Sequence, residues 1–161
     1  MKNLDGKKMK TQHPNQLLNI VKDVLSSQHF AVIATESNHH PYTNLVSFAP
    51  SSDCRHLYFP TRKETQKFLN ITENNHVAVL IDNRENTPAD LSEAITVIAL
   101  GDAQEILYKK DRIKKLLLQK HPDLSYFLSD ASCVLIDITV HTYQIVQKFE
   151  QVQTLDVRDG I

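Results

Sequence analysis

The sequence predicts an α+β fold dominated by β, an antiparallel barrel of six to seven strands with flanking helices. Three observations carry that reading. Short segments rich in β-branched and aromatic residues recur along the chain, with helical stretches inserted between them and not alternating regularly. The last long segment changes its apolar parity: Val134, Ile136, Ile138 and Val140 share one face, whereas Tyr143, Ile145 and Phe149 share the other. A single strand does that through a bulge or strong coiling, which closing a barrel also demands. Finally, the chain has only 3 glycines and no Gly-rich strand-to-helix turn, which disfavours a dinucleotide-binding parallel sheet.

The elements run in order along the chain. Residues 1–14 read as a flexible basic tail and residues 15–161 as one domain. From Asn15, a residue type suited to a cap, Leu17, Leu18, Val21, Val24 and Leu25 recur at helical spacing. Phe30–Thr35 and Tyr42–Phe48 read as a hairpin joined by a loop of four or five residues, Ser37 to Pro41. His56–Phe59 is the third strand, and Thr61–Asn75 is expected to be helical with Phe68, Leu69 and Ile71 on its buried side. Val77–Ile81 is apolar on both faces and so reads as a central strand. Arg84–Ala94 is a polar loop, Ile95–Leu100 a strand, and Gly101 the place for a bulge. A charged helix over Lys110–Lys120 and a short helical piece over Pro122–Leu128 precede the β segment Cys133–Phe149 and a last strand near Val152–Val157.

Composition narrows the function classes. Lys plus Arg number 18 and Asp plus Glu 19, so the net charge of −1 gives no general attraction to nucleic acid or to an anionic membrane. No apolar run approaches the ~20 residues that span a bilayer, and the basic N-terminus lacks the apolar stretch of a secretory signal. The 2 cysteines, far apart, make no disulfide framework. The expectation is a cytoplasmic protein.

Chemistry concentrates in Tyr58-Phe59-Pro60-Thr61-Arg62-Lys63-Glu64-Thr65-Gln66-Lys67, a strand, a turn and the start of a helix. Thr61 and Glu64 fit a capping box, which puts Arg62 and Lys63 at the positive end of the helix dipole. Cations there are unfavourable unless an anion joins them, and backbone N–H groups with Arg62 and with Lys63 or Lys67 make a phosphate site. A capped surface helix with solvated basic residues explains the same stretch. Both readings stay open on the local pattern alone.

The wider order of elements bears on that choice. Strand Asn44–Phe48, strand Leu57–Phe59, Thr61-Arg62-Lys63, a helix, strand Val77–Ile81 and the run from Thr96 to Gly101 together resemble the pyridoxamine 5′-phosphate oxidase-like family of split β-barrels that bind flavin mononucleotide (FMN). The resemblance spans about residues 17–157 and is carried by Leu57–Ile81 and by the late strand Tyr143–Phe149. It implies a homodimer with FMN at the subunit interface. By that resemblance Arg62 and Lys63 match the pair that holds the FMN phosphate. Asn44, Leu45, Val46 and Ser47 match the strand along the flavin ring, and Phe59 and Pro60 match the contacts of the next strand. Thr96 sits where relatives place a glutamine from the second subunit.

The chain departs from pyridoxamine phosphate oxidase proper. It has no Trp, and its end lacks the arginines that bind the pyridoxal substrate, so vitamin B6 synthesis is not implied. The resemblance implies instead an FMN-dependent oxidoreductase acting on a small molecule, with no acid or base singled out. A non-catalytic flavin carrier or redox sensor needs the same residues, and a haem-binding split barrel would need one of the 8 histidines as axial ligand.

Other residues read as structural. His39-His40 lies in the hairpin loop with no acidic or cysteine partner at ligand spacing, so no metal site is expected. His141 reads as a strand residue with one satisfied nitrogen, and Cys133 as packing. Arg55 beside Cys54 is placed to lower its pKa. The Lys109–Lys115 cluster reads as a solvated helix face.

Overall fold

The computed structural model describes residues 12–158, so most of the expected tail lies outside the described residues. Helix α1 is Pro14–Ser27, followed by strands β1 (Phe30–Ser37), β2 (His40–Ser47), β3 (Ala49–Pro50) and β4 (His56–Arg62). Then come α2 (Gln66–Glu73), β5 (His76–Asp82), α3 (Asp90–Glu93) and β6 (Ile95–Glu105). The chain finishes with α4 (Lys110–Lys120), a 3₁₀ turn Pro122–Leu124, α5 (Ser125–Ser129), β7 (Cys133–Gln147) and β8 (Gln151–Asp156). The expected antiparallel barrel with flanking helices is what forms; the strand beyond the expected seven is the two-residue β3.

All strands belong to one sheet in the order β2-β1-β5-β6-β7-β4-β3, with β8 also on β7. Every pairing is antiparallel. The two ends of that order, β2 and β3, are successive pieces of chain separated by Phe48 alone, so the sheet curls until it meets itself.

Alternation decides what faces inward. Ala31, Ile33, Val77, Val79, Ile81, Val97 and Ala99 are buried, and the apolar stripe of α1 (Leu17, Val21, Val24, Leu25) joins the same core. Each of the larger aliphatic side chains contributes about 1.5–3 kcal/mol on burial. A smaller core lies outside the barrel, where Ile113 and Leu117 of α4 and Leu128 of α5 pack on Ala49 and Leu135. The first half of β7 is thus buried on both sides. The outer face of β1, β5 and β6 instead presents half-exposed Val32, Leu80 and Ile98 beside exposed Phe30 and Leu45.

The parity change in β7 resolves as a bulge. Leu100 pairs with Thr142 and Gly101 with Val140, leaving His141 as the extra residue. Gly101 is required there by close approach, since a Cβ would sit 2.2 Å from the Thr139 carbonyl oxygen. The Val140 N–H donates to the Arg55 carbonyl at 2.9 Å, and the Val157 N–H to the His141 carbonyl at 2.9 Å. His141 Nε2 meets Asp102 Oδ2 at 3.2 Å, so one ring nitrogen is satisfied as expected.

Several expectations need correction. The β1–β2 hairpin closes through Asn38 and His39 alone, both at positive φ, so its loop is shorter than the four or five residues expected. Asn15 is not the cap of α1; the helix begins at Pro14, and His13 caps it, with its N–H donating to Gln16 Oε1 at 3.3 Å. β6 runs on past the bulge to Glu105, because Ala103 and Gln104 find partners on β7. Cys54 is buried, and burial pushes its thiol pKa up, outweighing the opposing charge of Lys22; Asp53 adds to the rise. Among the described residues no group of three metal-ligating side chains comes together, and no helix is long and apolar enough to cross a membrane.

Candidate functional site

A cleft of about 280 Å³ opens where β2, β4 and the start of α2 meet the segment around α5. Leu45, Val46 and Ser47 form one wall, Pro60, Thr61 and Arg62 a second, and Thr65 and Lys67 the floor. Leu124 and Phe127 close it from the far side. Seven of the expected residues are therefore brought together here. Four are not.

The helix start differs from the sequence reading, and the difference relocates the charges. Thr61 is not an N-cap: β4 continues in register with β7 as far as Arg62 opposite Cys133, and Thr61 is buried in that ladder. The cap of α2 is Thr65, whose hydroxyl donates to the Arg62 carbonyl at 2.8 Å and meets the Thr61 hydroxyl at 3.0 Å. Arg62 and Lys63 thus precede the helix, and Lys67 occupies its first turn. The Phe68 and Leu69 N–H groups donate to the Thr65 carbonyl at 3.0 and 3.1 Å, which leaves those of Gln66 and Lys67 without an acceptor among the described residues. They and Lys67 meet at the positive end of the helix dipole. Burial pulls the Lys67 pKa down, as an ammonium held away from water without a counter-charge requires.

Arg62 lies with its guanidinium carbon 5.3 Å from the centre of the Phe127 ring and one nitrogen 3.4 Å from Asp130. Asp130 is held below the usual carboxylate range, first by hydrogen bonds from Ser132 and less by Arg62. At 3.4 Å between half-exposed groups the pair is weak, so Arg62 retains donors for an anion in the cleft.

The other four expected residues lie around the cleft. Asn44 is opposite Ile33 on the inward face of β2, and its Oδ1 is buried with no hydrogen-bond partner among the described residues. Phe59 is a core side chain, so only its backbone runs beside the cleft. Lys63 points away, pairing with Glu105 at 3.3 Å with its ammonium 5.9 Å from the centre of the Phe68 ring. Thr96 sits on β6, two strands from β4, between Asp82 and Val146. The sequence reading missed Thr65, Leu124 and Phe127. Thr65 carried a signal, a threonine directly before a helical run; Leu124 and Phe127 carried none, being about sixty residues away in the chain.

The sequence profile of the family described as pyridoxamine 5′-phosphate oxidase matches residues 19–142, which include every strand that builds the cleft. The chain belongs to that family. Solved structures share its fold at low identity. A putative pyridoxamine 5′-phosphate oxidase from Listeria innocua has a TM-score of 0.61 at 23% identity, covering 86% of this chain and 98% of that one. A FAD-binding protein from Mesorhizobium loti has a TM-score of 0.59 at 20% identity, covering 83% and 89%. A haem-binding protein from Mycobacterium smegmatis has a TM-score of 0.73 at 11% identity, covering 83% of this chain and 55% of that one. No curated protein matches the sequence.

The donor set of the cleft fits a flavin mononucleotide. Arg62, Lys67 and the first turn of α2 suit a phosphate, and Leu45, Val46, Pro60 and Phe127 suit an apolar ring system; next to that lining, on the same strand as Leu45, the Asn44 acceptor lacks a donor.

Proposed function

We propose that this chain is an FMN-binding flavoprotein that acts as a homodimeric oxidoreductase on a small molecule. The observation that supports it most is the cleft itself, which gathers cations and helix N–H groups at one end and an apolar wall along β2 at the other. Arg62 holds two phosphate oxygens through its planar fork, and Lys67 adds a point charge from the helix start. The buried Asn44 Oδ1 accepts an N–H that the protein does not supply. Leu45, Val46 and Pro60 exclude water from the ring, which strengthens each of these polar contacts. Bound flavin supplies the electron transfer, and these residues supply binding, orientation and electrostatics.

The dimer is supported by the outer sheet face. Phe30 and Leu45 are 58% and 68% exposed there, and both border one shallow depression, so they form a patch and not two isolated side chains. Leu45 borders both that face and the cleft, so a partner seated on the face reaches the cofactor. Flavin is favoured over haem because no histidine is among the residues lining the cleft.

Equilibrium titration of the purified chain with FMN, read by flavin fluorescence, tests the reading. Arg62→Ala is expected to weaken binding roughly 10- to 100-fold, the loss of a charge-assisted hydrogen bond. Equal affinity in wild type and variant would remove the phosphate site. Anaerobic reduction of the loaded protein by NADH or NADPH, then reoxidation by a panel of acceptors, separates an oxidoreductase from a carrier. Light scattering that finds only monomer in the FMN-bound state would refute the dimer.

A further inference from the structure

A second concavity, larger than the cleft, lies elsewhere on the sheet. A groove of about 510 Å³ runs between α4, the turn after β3 and the first half of β4. It is lined by His56 and Tyr58 from β4 and by Arg112, Lys115, Leu116 and Gln119 from α4. His56, Tyr58, Pro60 and Arg62 alternate along one face of β4, so this groove and the flavin cleft share that face at opposite ends. Tyr58 of the groove and Pro60 of the cleft are two residues apart on that face, roughly 7 Å along the strand.

The polar groups of the groove are arranged for an anion. His56 Nδ1 is 2.8 Å from Asp137 Oδ1, which fixes the ring and leaves Nε2 as the nitrogen not engaged by a described residue. The His56 and Tyr58 rings are parallel to within 1°, with centres 6.0 Å apart, forming a flat aromatic floor. Arg112 and Lys115 lie one helical turn apart, and among the described residues neither has an ion-pair partner. The carboxylate bordering the groove, Asp53, is already occupied by the Ser51 hydroxyl at 2.6 Å and the Arg55 N–H at 3.1 Å. Two such cations, an oriented imidazole and an aromatic floor in a concavity of ligand size match a phosphate on an apolar body.

We propose that the groove between α4 and β4 is a second ligand site, which binds the phosphate monoester of a small aromatic molecule through Arg112, Lys115 and His56. The site is independent of the flavin reading, since none of its residues lines the cleft.

Calorimetric titration with phenyl phosphate tests it, on the wild type saturated with FMN, in which the cleft is filled, and on Arg62→Ala, in which the principal anion holder of the cleft is gone. One saturable site per chain is expected in both proteins. Arg112→Gln and Lys115→Gln, both substitutions at the surface of α4, are each expected to weaken it roughly tenfold or more. The ring ¹⁵N signals of His56 are expected to shift on saturation. Binding that disappears in Arg62→Ala but survives Arg112→Gln would put the ligand in the cleft and overturn the proposal. No saturable binding up to about 10 mM would overturn it as well. Benzoate binding more tightly than phenyl phosphate would overturn the phosphate assignment.

Discussion

Replacing Asn44 by leucine is expected to make the ligand-free protein more stable and its flavin binding weaker at once. Asn44 Oδ1 is buried without a donor, opposite Ile33 on the inward face of β2. An acceptor in that condition costs about 1–3 kcal/mol, and leucine of similar size removes the cost while adding apolar burial. Strand propensity also favours leucine over asparagine. The ligand-free variant is therefore expected to gain about 1–3 kcal/mol. If the acceptor is satisfied only by a flavin N–H, the variant loses one neutral hydrogen bond, about 0.5–1.5 kcal/mol, or roughly 2- to 12-fold in affinity. Urea denaturation with and without FMN reads both quantities from the same samples. A variant less stable than wild type would mean that Asn44 is satisfied within the folded chain. A variant that gains stability yet binds FMN unchanged would detach Asn44 from the site.

Gly101→Ala should destabilise the barrel by about 2–4 kcal/mol, because the added methyl meets only backbone, at 2.2 Å from the Thr139 oxygen and 3.0 Å from Val140 Cα. A thermal midpoint within about a degree of wild type would contradict the close approach. Lys120 donates to the Leu25 carbonyl at 2.7 Å with its ammonium 3.9 Å from the centre of the Phe48 ring, and burial brings its pKa from 10.5 to about 8. The unfolded chain then binds the extra proton between about pH 8 and 10.5, so Lys120 lowers stability below about pH 8 and that penalty is relieved as pH rises. Acetylation followed by mass spectrometry should show Lys120 reacting with a midpoint near pH 8; a midpoint near the ordinary 10.5 would refute its burial. Cys54, with its thiol pKa raised by burial, should react with a disulfide reagent many times more slowly than an exposed thiol. Equal rates would show the turn after β3 to be open.

Much of the barrel was legible because its inward residues alternate cleanly, as in Val77, Val79 and Ile81. The parity change between Val140 and Tyr143 announced the bulge before any pairing was known. What failed was local punctuation. The tight β1–β2 turn uses Asn38 and His39 where a glycine would have signalled positive φ. The capping pattern of Thr61 and Glu64 also competed with a real β ladder, and the ladder won because seven residues of β4 pair with β7. Site residues Arg62 and Lys67 were legible from charge and helix spacing. Leu124 and Phe127 were not, because their place in the cleft is set by how α4 and α5 dock on Leu135, a tertiary matter with no local sequence mark.

The closure of the sheet on a single stretch of chain has a mechanical consequence. Because β2 and β3 are joined by one residue, the seam of the barrel is a covalent hinge at Phe48, and Phe48 is itself 1% exposed in the core. The two borders cannot drift apart while the chain is intact, so the wall is protected from the edge-to-edge pairing that threatens an open sheet. A circular permutant cut at Phe48 would keep every strand and every turn but would free both borders. It is expected to assemble into larger particles at concentrations where a permutant cut in the exposed stretch 83–89 stays dispersed.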